Sequence, residues 1–378
     1  MKKNIVLFIV LAVMSCKNKS VEECGLASID IDSLASEIPA IKNLVYIPLE
    51  TTELSLIGDI NKVLYRNHMF FIFDKLAKKV FVFDDKGVFL YAINHLGEGS
   101  GEYVLPADMD VDELGNVYIS DYSTKRIIRY NAGGSHDFQV IKIDDYFFDF
   151  AVFDQKTIFL GDVVRDGKFS INLAKYDTKT GKVLILDETD IGIRKLITRC
   201  SAHYFFRSGN TLNYYKRFYP FIFSLGDKDI ISKRVEIKSE RLPSAGIISK
   251  WEKAGSKMSI LTDEKYIHDV SSFYEIDDYF FVTFQAIPLG YSLINKHSGE
   301  VYNFTSFSSL IKDLNSFSGI FASDGHSFVS YCYPTIENVH NILKSNSAMT
   351  EETKKRMYNL AEDSNPIMIV FDFNRALR

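Results

Sequence analysis

Short runs of aromatic and β-branched residues recur along the chain, and each run ends in a polar residue that leads into a turn. Such runs are typical of β-strands on a pleated, half-buried surface. Six of these strand ends follow one another at spacings of 47, 46, 47, 71 and 77 residues: Asp84, Asn131, Asp177, Ser224, Asn295 and Asp372. A strand-built repeat of roughly 40–50 residues is typical of a propeller, in which each unit is one small sheet.

Each repeat is predicted to hold four strands. In the second repeat the inner strand is 107–111, and the next three strands are 116–120, 126–130 and 137–143. The turns between them are rich in Asp, Asn and Gly, which tolerate a positive φ. The pattern predicts an all-β fold, a six-bladed β-propeller over residues 41–378.

The sixth repeat lacks an outer strand of its own, since it supplies only 326–331 and 367–373 before the sequence given ends. An unpaired sheet edge is a liability, and the free strand at 44–49 is predicted to close this last blade. Its Pro48 suits an edge position. Between the two strands, Ile336, Val339 and Leu343 fall at helical spacing and Thr350 starts a second helix, which predicts a helical insertion at 335–362.

Composition agrees with this class of fold and excludes one class of partner. Hydrophobic residues make up 46% of the chain and aromatic residues 14%, which is ample for a β-rich core. The formal net charge is −5. Because nucleic-acid binding needs a basic face, no nucleic-acid partner is predicted.

The first residues have the pattern of a targeting signal. Lys2 and Lys3 precede an apolar stretch at 5–13, and Val13-Met14-Ser15-Cys16 resembles a bacterial lipobox. The apolar stretch is too short to cross a bilayer, which needs about 20 residues. The sequence predicts a lipoprotein signal peptide at 1–16, a membrane anchor on lipidated Cys16, and a flexible tether at 17–40. Lys17 at the next position favours the outer membrane; the periplasmic and the surface face both stay open.

The segment 106–121 is similar to an NHL-type propeller repeat, with matching Pro106, Asp112-Glu113-Leu114-Gly115-Asn116 turn and terminal Asp121. More narrowly, residues 40–375 resemble the six-bladed β-propeller lipoproteins of gut-type Gram-negative bacteria. Gly97-Glu98-Gly99-Ser100-Gly101-Glu102-Tyr103 is similar to that family's Gly-x-Gly-Pro-Gly-Glu-Tyr element, with Ser100 in place of proline. The resemblance implies a fold and an envelope location. It implies no reaction and no catalytic residues.

The motifs of catalysis and of metal binding are missing from the sequence. Asp108, Asp110 and Asp112 begin like a calcium loop, but Glu113 stands where that loop needs glycine. No HExxH and no GxSxG occurs, so no catalytic residue, metal or cofactor is predicted. After lipidation three cysteines remain, and whether any of them form a disulfide stays open: Cys24, Cys200 and Cys332.

A set of basic and aromatic residues falls at strand ends and turns that several blades would present on one rim. These candidate ligand-binding residues are Tyr122, Lys125, Arg126, Arg165, Arg207, Lys216, Arg217, Tyr331 and Tyr333. Arg offers forked donors and Tyr offers a stacking face. The first hypothesis is a non-catalytic envelope module that binds a glycan, peptide or partner protein. The alternative is a channel-centred hydrolase or lyase, lactonase-like, with a site assembled from several blades.

Overall fold

The computed structural model describes residues 27–32, 38–134, 137–165, 168–188, 204–216, 218–226, 232–254, 265–286, 289–311, 314, 319–345 and 349–373. Within these ranges the chain forms 25 β-strands in five sheets, together with three short α-helices and a 3-10 turn. The sheets are small and antiparallel within each repeat, and they have a β-propeller-like arrangement. The predicted all-β class is therefore confirmed.

Four of the sheets hold four strands each, hydrogen-bonded in chain order. The first contains β3 (Lys62–Arg66), β4 (Met69–Asp74), β5 (Lys79–Asp84) and β6 (Phe89–Ile93). The second contains β7 (Pro106–Val111), β8 (Val117–Asp121), β9 (Arg126–Tyr130) and β10 (Phe138–Lys142). The third contains β11 (Asp149–Val152), β12 (Thr157–Arg165), β13 (Lys168–Asp177) and β14 (Val183–Glu188). The fourth contains β19 (Asp269–Glu275), β20 (Tyr279–Gln285), β21 (Gly290–Asn295) and β22 (Val301–Phe304).

The fifth sheet is continuous over nine strands, which differs from the prediction of six separate sheets. In spatial order its strands are β1 (Ala27–Asp30), β18 (Ser232–Lys238), β17 (Phe221–Leu225), β16 (Thr211–Tyr215), β15 (Phe205–Ser208), β23 (Ala322–Ser323), β24 (Phe328–Cys332), β25 (Ile367–Phe373) and β2 (Ile41–Pro48). Its two halves meet at β15 and β23 through one parallel pair, Ser208 with Ser323. The short β23 pairs with β15 and so joins the fourth and sixth sequence repeats in one sheet.

The six strand ends of the sequence pattern all fall within one residue of the end of a third strand, namely β5, β9, β13, β17, β21 and β25. The first strands form a ring. In chain order β3, β7, β11, β15, β19 and β23 each contact the next, and β23 contacts β3. The sheets are therefore arranged radially around a common centre.

The core consists of apolar layers between neighbouring sheets. Phe71 and Val82 of the first sheet pack in one cluster with Met109 and Ile128 of the second. Equivalent clusters join each following pair of sheets, and the last of them packs Met368 of β25 against the first sheet. Both faces of most strands are buried in this way, which explains why the strands read as nearly continuous apolar runs.

The predicted pairing of the N-terminal strand with the last strand of the chain is observed. β2 runs antiparallel to β25, with Tyr46 opposite Ile369 and Ile47 opposite Met368. The predicted tether at 17–40 is wrong for residues 27–30. These residues form β1, which pairs in parallel with β18 because Ile29 is an apolar residue that buries fully against that sheet.

The helical insertion predicted between β24 and β25 is observed as α2 (Ile336–Ser345) and α3 (Glu351–Tyr358). Thr350 caps α3, since its side chain accepts a hydrogen bond from the backbone N–H of Thr353. A further helix, α1 (Ala245–Ala254), lies between β18 and β19, and its Trp251 is buried. Among the helices of the described ranges, none combines the length and the hydropathy that a membrane crossing requires.

Candidate functional site

The first strands surround a small cavity at the centre of the ring. Its volume is about 50 Å³, and β3, β7, β11, β15 and β19 all contribute to its wall. The lining is mostly apolar, with the polar side chains Lys62, Asp110, Arg207, Ser271 and Tyr274. Pockets for small organic ligands are usually about 300–1,000 Å³, so this cavity has room for one or two water molecules instead.

One ion pair at the cavity joins the first two sheets. Nζ of Lys62 lies 3.0 Å from Oδ1 of Asp108, and both side chains are almost completely buried. Burial alone lowers the pKa of Lys62, but the neighbouring carboxylates of Asp108, Asp149 and Asp110 outweigh it and raise that pKa well above its usual value. Lys62 therefore stays charged at any physiological pH, which makes it unsuited to act as a general base.

A second ion pair crosses the centre and involves three sheets. Nη2 of Arg207 donates to Oδ2 of Asp110 at 2.9 Å and also to the backbone oxygen of Val152. The same carboxylate oxygen accepts from the backbone N–H of Val152 at 2.7 Å. Arg207 was predicted to lie on the rim, and that prediction is wrong. It faces inward from β15 because the buried Asp110 carboxylate supplies its counter-charge.

The carboxylate of Asp149, also at the centre, accepts hydrogen bonds from the backbone of the next sheet. Oδ2 of Asp149 accepts from the backbone N–H groups of Tyr204 and Phe205, at 2.6 and 3.3 Å. Over the described ranges, His, Cys, Asp and Glu side chains do not come together in a group that could hold a metal ion. The central charges thus bind sheets to one another.

The ring has two rims that differ in chemistry. Because adjacent strands alternate in direction, the connections that enter the first strands and the turns between second and third strands lie at one end, here called the upper rim. The turns between first and second and between third and fourth strands form the lower rim. Most of the predicted binding residues lie in upper-rim turns or beside them: Tyr122, Lys125, Arg126, Arg165, Lys216 and Tyr333.

Three predicted residues converge on the connection between β10 and β11. The ring of Tyr122 lies 5.2 Å from that of Tyr146, and Nζ of Lys125 lies 3.9 Å from the centre of the Tyr146 ring. Arg165 reaches the same connection through a two-pronged bond to Asp145, with Nη2 at 2.7 Å from Oδ2. The structure therefore brings Tyr122, Lys125 and Arg165 together.

The other predicted residues do not join this group. Arg126 donates to the backbone of the connection before β7, and Lys216 pairs with Asp187 at 2.8 Å. Tyr331 is buried in β24 against Phe321, whereas Tyr333 is 48% exposed. Arg217 and Cys16 lie outside the described residues.

Exposed apolar side chains are concentrated on the upper rim, a feature that the sequence analysis missed. Of 18 large apolar or aromatic side chains that are at least 37% exposed in the described residues, twelve belong to upper-rim segments. They are Leu54, Leu56, Leu76, Leu96, Val104, Leu105, Tyr122, Phe148, Tyr219, Tyr333, Ile336 and Tyr358. Two others, Val88 and Leu114, lie on the lower rim, and four lie on the fourth strands at the outer edge.

The lower rim is polar by comparison. It carries three exposed His–Asp pairs, of which His297–Asp278 and His326–Asp277 each have a contact of 2.9 Å. The third is His68–Asp85 at 3.6 Å. The hydrogen bond and the charge of Asp277 raise the pKa of His326. Such exposed pairs contribute little stability and leave this rim well solvated.

One cysteine, Cys332, lies in the part of the chain that the structure describes. Cys332 is a buried free thiol, and burial raises its pKa to about 12. The thiolate is the reactive form, so Cys332 is unreactive at neutral pH. Cys24 and Cys200 fall outside the described residues.

Solved structures with the same fold span nearly the whole chain. A candidate exported protein from Bacteroides fragilis NCTC 9343 has a TM-score of 0.67 at 16% sequence identity, covering 93% of this chain and 100% of that one. A member of the DUF4221 family from Bacteroides vulgatus has a TM-score of 0.52 at 12% identity, with 90% and 99% covered. Virginiamycin B lyase from Staphylococcus aureus reaches only 0.40 at 11% identity, covering 76% and 81%. At these identities the likeness to the two Bacteroides proteins shows the fold alone.

Among curated proteins, none matches this sequence. One domain family matches residues 28–372, a range that includes every sheet of the structure. The chain therefore belongs to the family described as Domain of unknown function (DUF4934).

Proposed function

We propose that this protein is a lipid-anchored envelope module, a closed six-bladed β-propeller that binds a macromolecular partner, whether glycan, peptide or protein, without catalysis. The observation that carries the proposal is the concentration of exposed apolar side chains on the upper rim. Large apolar patches on a soluble surface mark interaction sites, and scattered single residues do not. Because the lower rim is polar by contrast, we expect the partner to bind at the upper rim.

A six-bladed arrangement explains the nine-stranded sheet as two blades that are joined through their first strands. The half with β15–β18 and the half with β23–β25 and β2 each contain four strands of one repeat, and one residue pair connects them. Six third strands, six first strands in a closed ring and six interlayer clusters support the same count. The outer strand of the sixth blade is then β2, which closes the ring.

The small size of the central cavity favours binding at the rim and argues against a reaction in the channel. A volume of about 50 Å³ cannot admit a sugar ring or a peptide side chain together with its backbone. The central carboxylates are engaged by Lys62, Arg207 and backbone N–H groups of neighbouring sheets. A substrate would have to displace these bonds, at a cost of several kcal/mol for each buried charge.

The lipid anchor rests on the sequence of the first 16 residues and agrees with the exported Bacteroides protein of the same fold. Each buried CH₂ of an acyl chain contributes about 0.8 kcal/mol, so a multiply acylated Cys16 holds the protein stably on a membrane. Replacing Cys16 with Ala is expected to release the protein into the soluble fraction with its fold unchanged, as measured by fractionation and circular dichroism. A Cys16→Ala chain that still pellets with membranes after a high-salt wash contradicts the anchor.

The rim proposal is tested by photo-crosslinking in the native envelope. A photoreactive amino acid placed at Leu76 or at Ile336, which are 79% and 76% exposed, is expected to give a discrete adduct with a partner. The matched control is the same amino acid at Leu114, which is 56% exposed on the lower rim and is expected to give none. The proposal fails if the upper-rim positions give no adduct, or if Leu114 gives the same one.

A further inference from the structure

One part of the upper rim brings exposed apolar residues close together, namely Val104, Leu105, Tyr122 and Phe148, here called the rim patch. These four side chains are 37–46% exposed. The backbone N–H of Tyr122 donates to the oxygen of Leu105 at 3.1 Å, so two of the three connections that supply the patch are directly joined. The rings of Tyr122 and Phe148 lie 5.8 Å apart.

The rim patch is held in place from below. The buried carboxylate of Asp121 accepts from the backbone N–H groups of Val104 and Leu105, each at 3.1 Å, and from the hydroxyl of Thr124 at 2.7 Å. Phe148 is fixed by its backbone N–H, which donates to Gly161 at 3.2 Å. A binding surface whose backbone is already fixed loses less entropy on binding, which favours affinity.

The two cations beside the rim patch are both engaged in bonds within the protein. Nζ of Lys125 donates to the backbone oxygen of Asp144 at 3.1 Å, and Arg165 is paired with Asp145. The four side chains of the rim patch are themselves uncharged, so an uncharged side chain of a partner suits its centre best. An apolar centre with a polar surround is the usual arrangement of a protein–protein hot spot.

The geometry favours a protein side chain over a sugar. A sugar stacks on a flat aromatic face that is open to solvent, but Lys125 covers the face of Tyr146 at 3.9 Å. The Tyr122 ring is inclined to those of Tyr146 and Phe148 by 38° and 53°, so the rings do not form a flat platform. Aliphatic Val104 and Leu105 add exposed apolar surface beside the rings instead.

We infer that the rim patch is the anchor point for a protein partner, which docks an uncharged segment through a large aliphatic or aromatic side chain. The inference rests on the proposed function, since it names the class of partner and the place on the upper rim where it binds. The partner's backbone would meet the paired side chains of Lys125 and Arg165 at the edge of the patch.

The test is selection of a phage-displayed random-peptide library on the purified full chain in detergent, with a glycan array in parallel. Selected peptides are expected to share an aromatic or large aliphatic residue. Tyr122→Ala and Phe148→Ala are each expected to weaken their binding at least tenfold. The control Leu114→Ala truncates a side chain on the lower rim that is even more exposed, and it is expected to leave binding unchanged. Unchanged thermal unfolding of all three variants excludes misfolding.

Three results overturn the inference. The first is the absence of any peptide that binds. The second is peptide binding that Tyr122→Ala and Phe148→Ala leave intact while Leu76→Ala or Ile336→Ala abolishes it; this keeps the rim proposal and removes the patch from it. The third is glycan binding that depends on Tyr122, which assigns the patch to carbohydrate.

Discussion

A chain that begins at residue 50 is expected to be insoluble, whereas one that begins at residue 27 is expected to fold. The longer deletion removes β2, and with it the buried side chains of Tyr46, Ile47 and Leu49. Burying each of these is worth about 1.5–3 kcal/mol, and the sum is comparable to the whole stability of a typical domain, about 5–15 kcal/mol. The deletion also leaves β25 with an open edge in the middle of a hydrophobic layer.

Soluble yield and denaturant unfolding of the two chains measure the difference. A third chain that begins at residue 41 keeps β2 and loses only β1, so it is the matched control and is expected to stay soluble with a modest loss of stability. If the chain from residue 50 unfolds cooperatively at the same denaturant midpoint as the full protein, β2 does not close the ring.

The strands were predictable because their signals are local. Apolar runs that end in a polar residue and a turn placed the ends of the third strands within a residue. The lone strand ahead of the first repeat pointed to its partner because an open edge needs covering. The helices α2 and α3 followed from apolar spacing and the Thr350 cap in the same way. A window of about ten residues contains each strand and helix signal, whereas the pairing of β2 with β25 came from an argument about the whole sheet.

The central ion pairs could not be predicted in this way. Lys62 and Asp108 are 46 positions apart, and Asp110 and Arg207 are 97 apart. Their contact depends on how the ring closes, which no local pattern records. This is why Arg207 was assigned to the rim. An arginine near a strand end has the same sequence pattern whether its side chain faces the solvent or the channel.

One of the four residues of the rim patch was predictable from the sequence. Tyr122 stood out because a polar tip beside basic residues suggests a binding surface, but Val104, Leu105 and Phe148 have the residue types of the core. Sequence shows residue type and not exposure, so an apolar residue in a connection is indistinguishable from one that folds back onto the sheet. The β15–β23 junction was missed because it consists of one residue pair, with no run of residues to mark it.

Replacing Arg207 with Met is expected to destabilise the protein by about 3–5 kcal/mol, the usual cost of leaving one partner of a buried ion pair unpaired. The Asp110 carboxylate is only 4% exposed and would keep two backbone donors, Val111 and Val152, but lose its counter-charge. Met fills a similar volume, so the loss of packing is small. The shift in denaturant midpoint at constant m-value measures the effect.

The double variant Arg207→Met/Asp110→Asn separates charge from packing. Asparagine keeps an oxygen that can accept from the N–H of Val152, and it removes the uncompensated charge. The double variant is therefore expected to be more stable than Arg207→Met alone, with a coupling energy of about 1–3 kcal/mol between the two sites. If the two effects simply add, the ion pair does not hold the three sheets together, and the cost of Arg207→Met comes from its lost bond to Val152. If the effects of the two substitutions couple, the central charges stabilise the contact between sheets. That result supports the upper rim, and not the centre, as the functional surface.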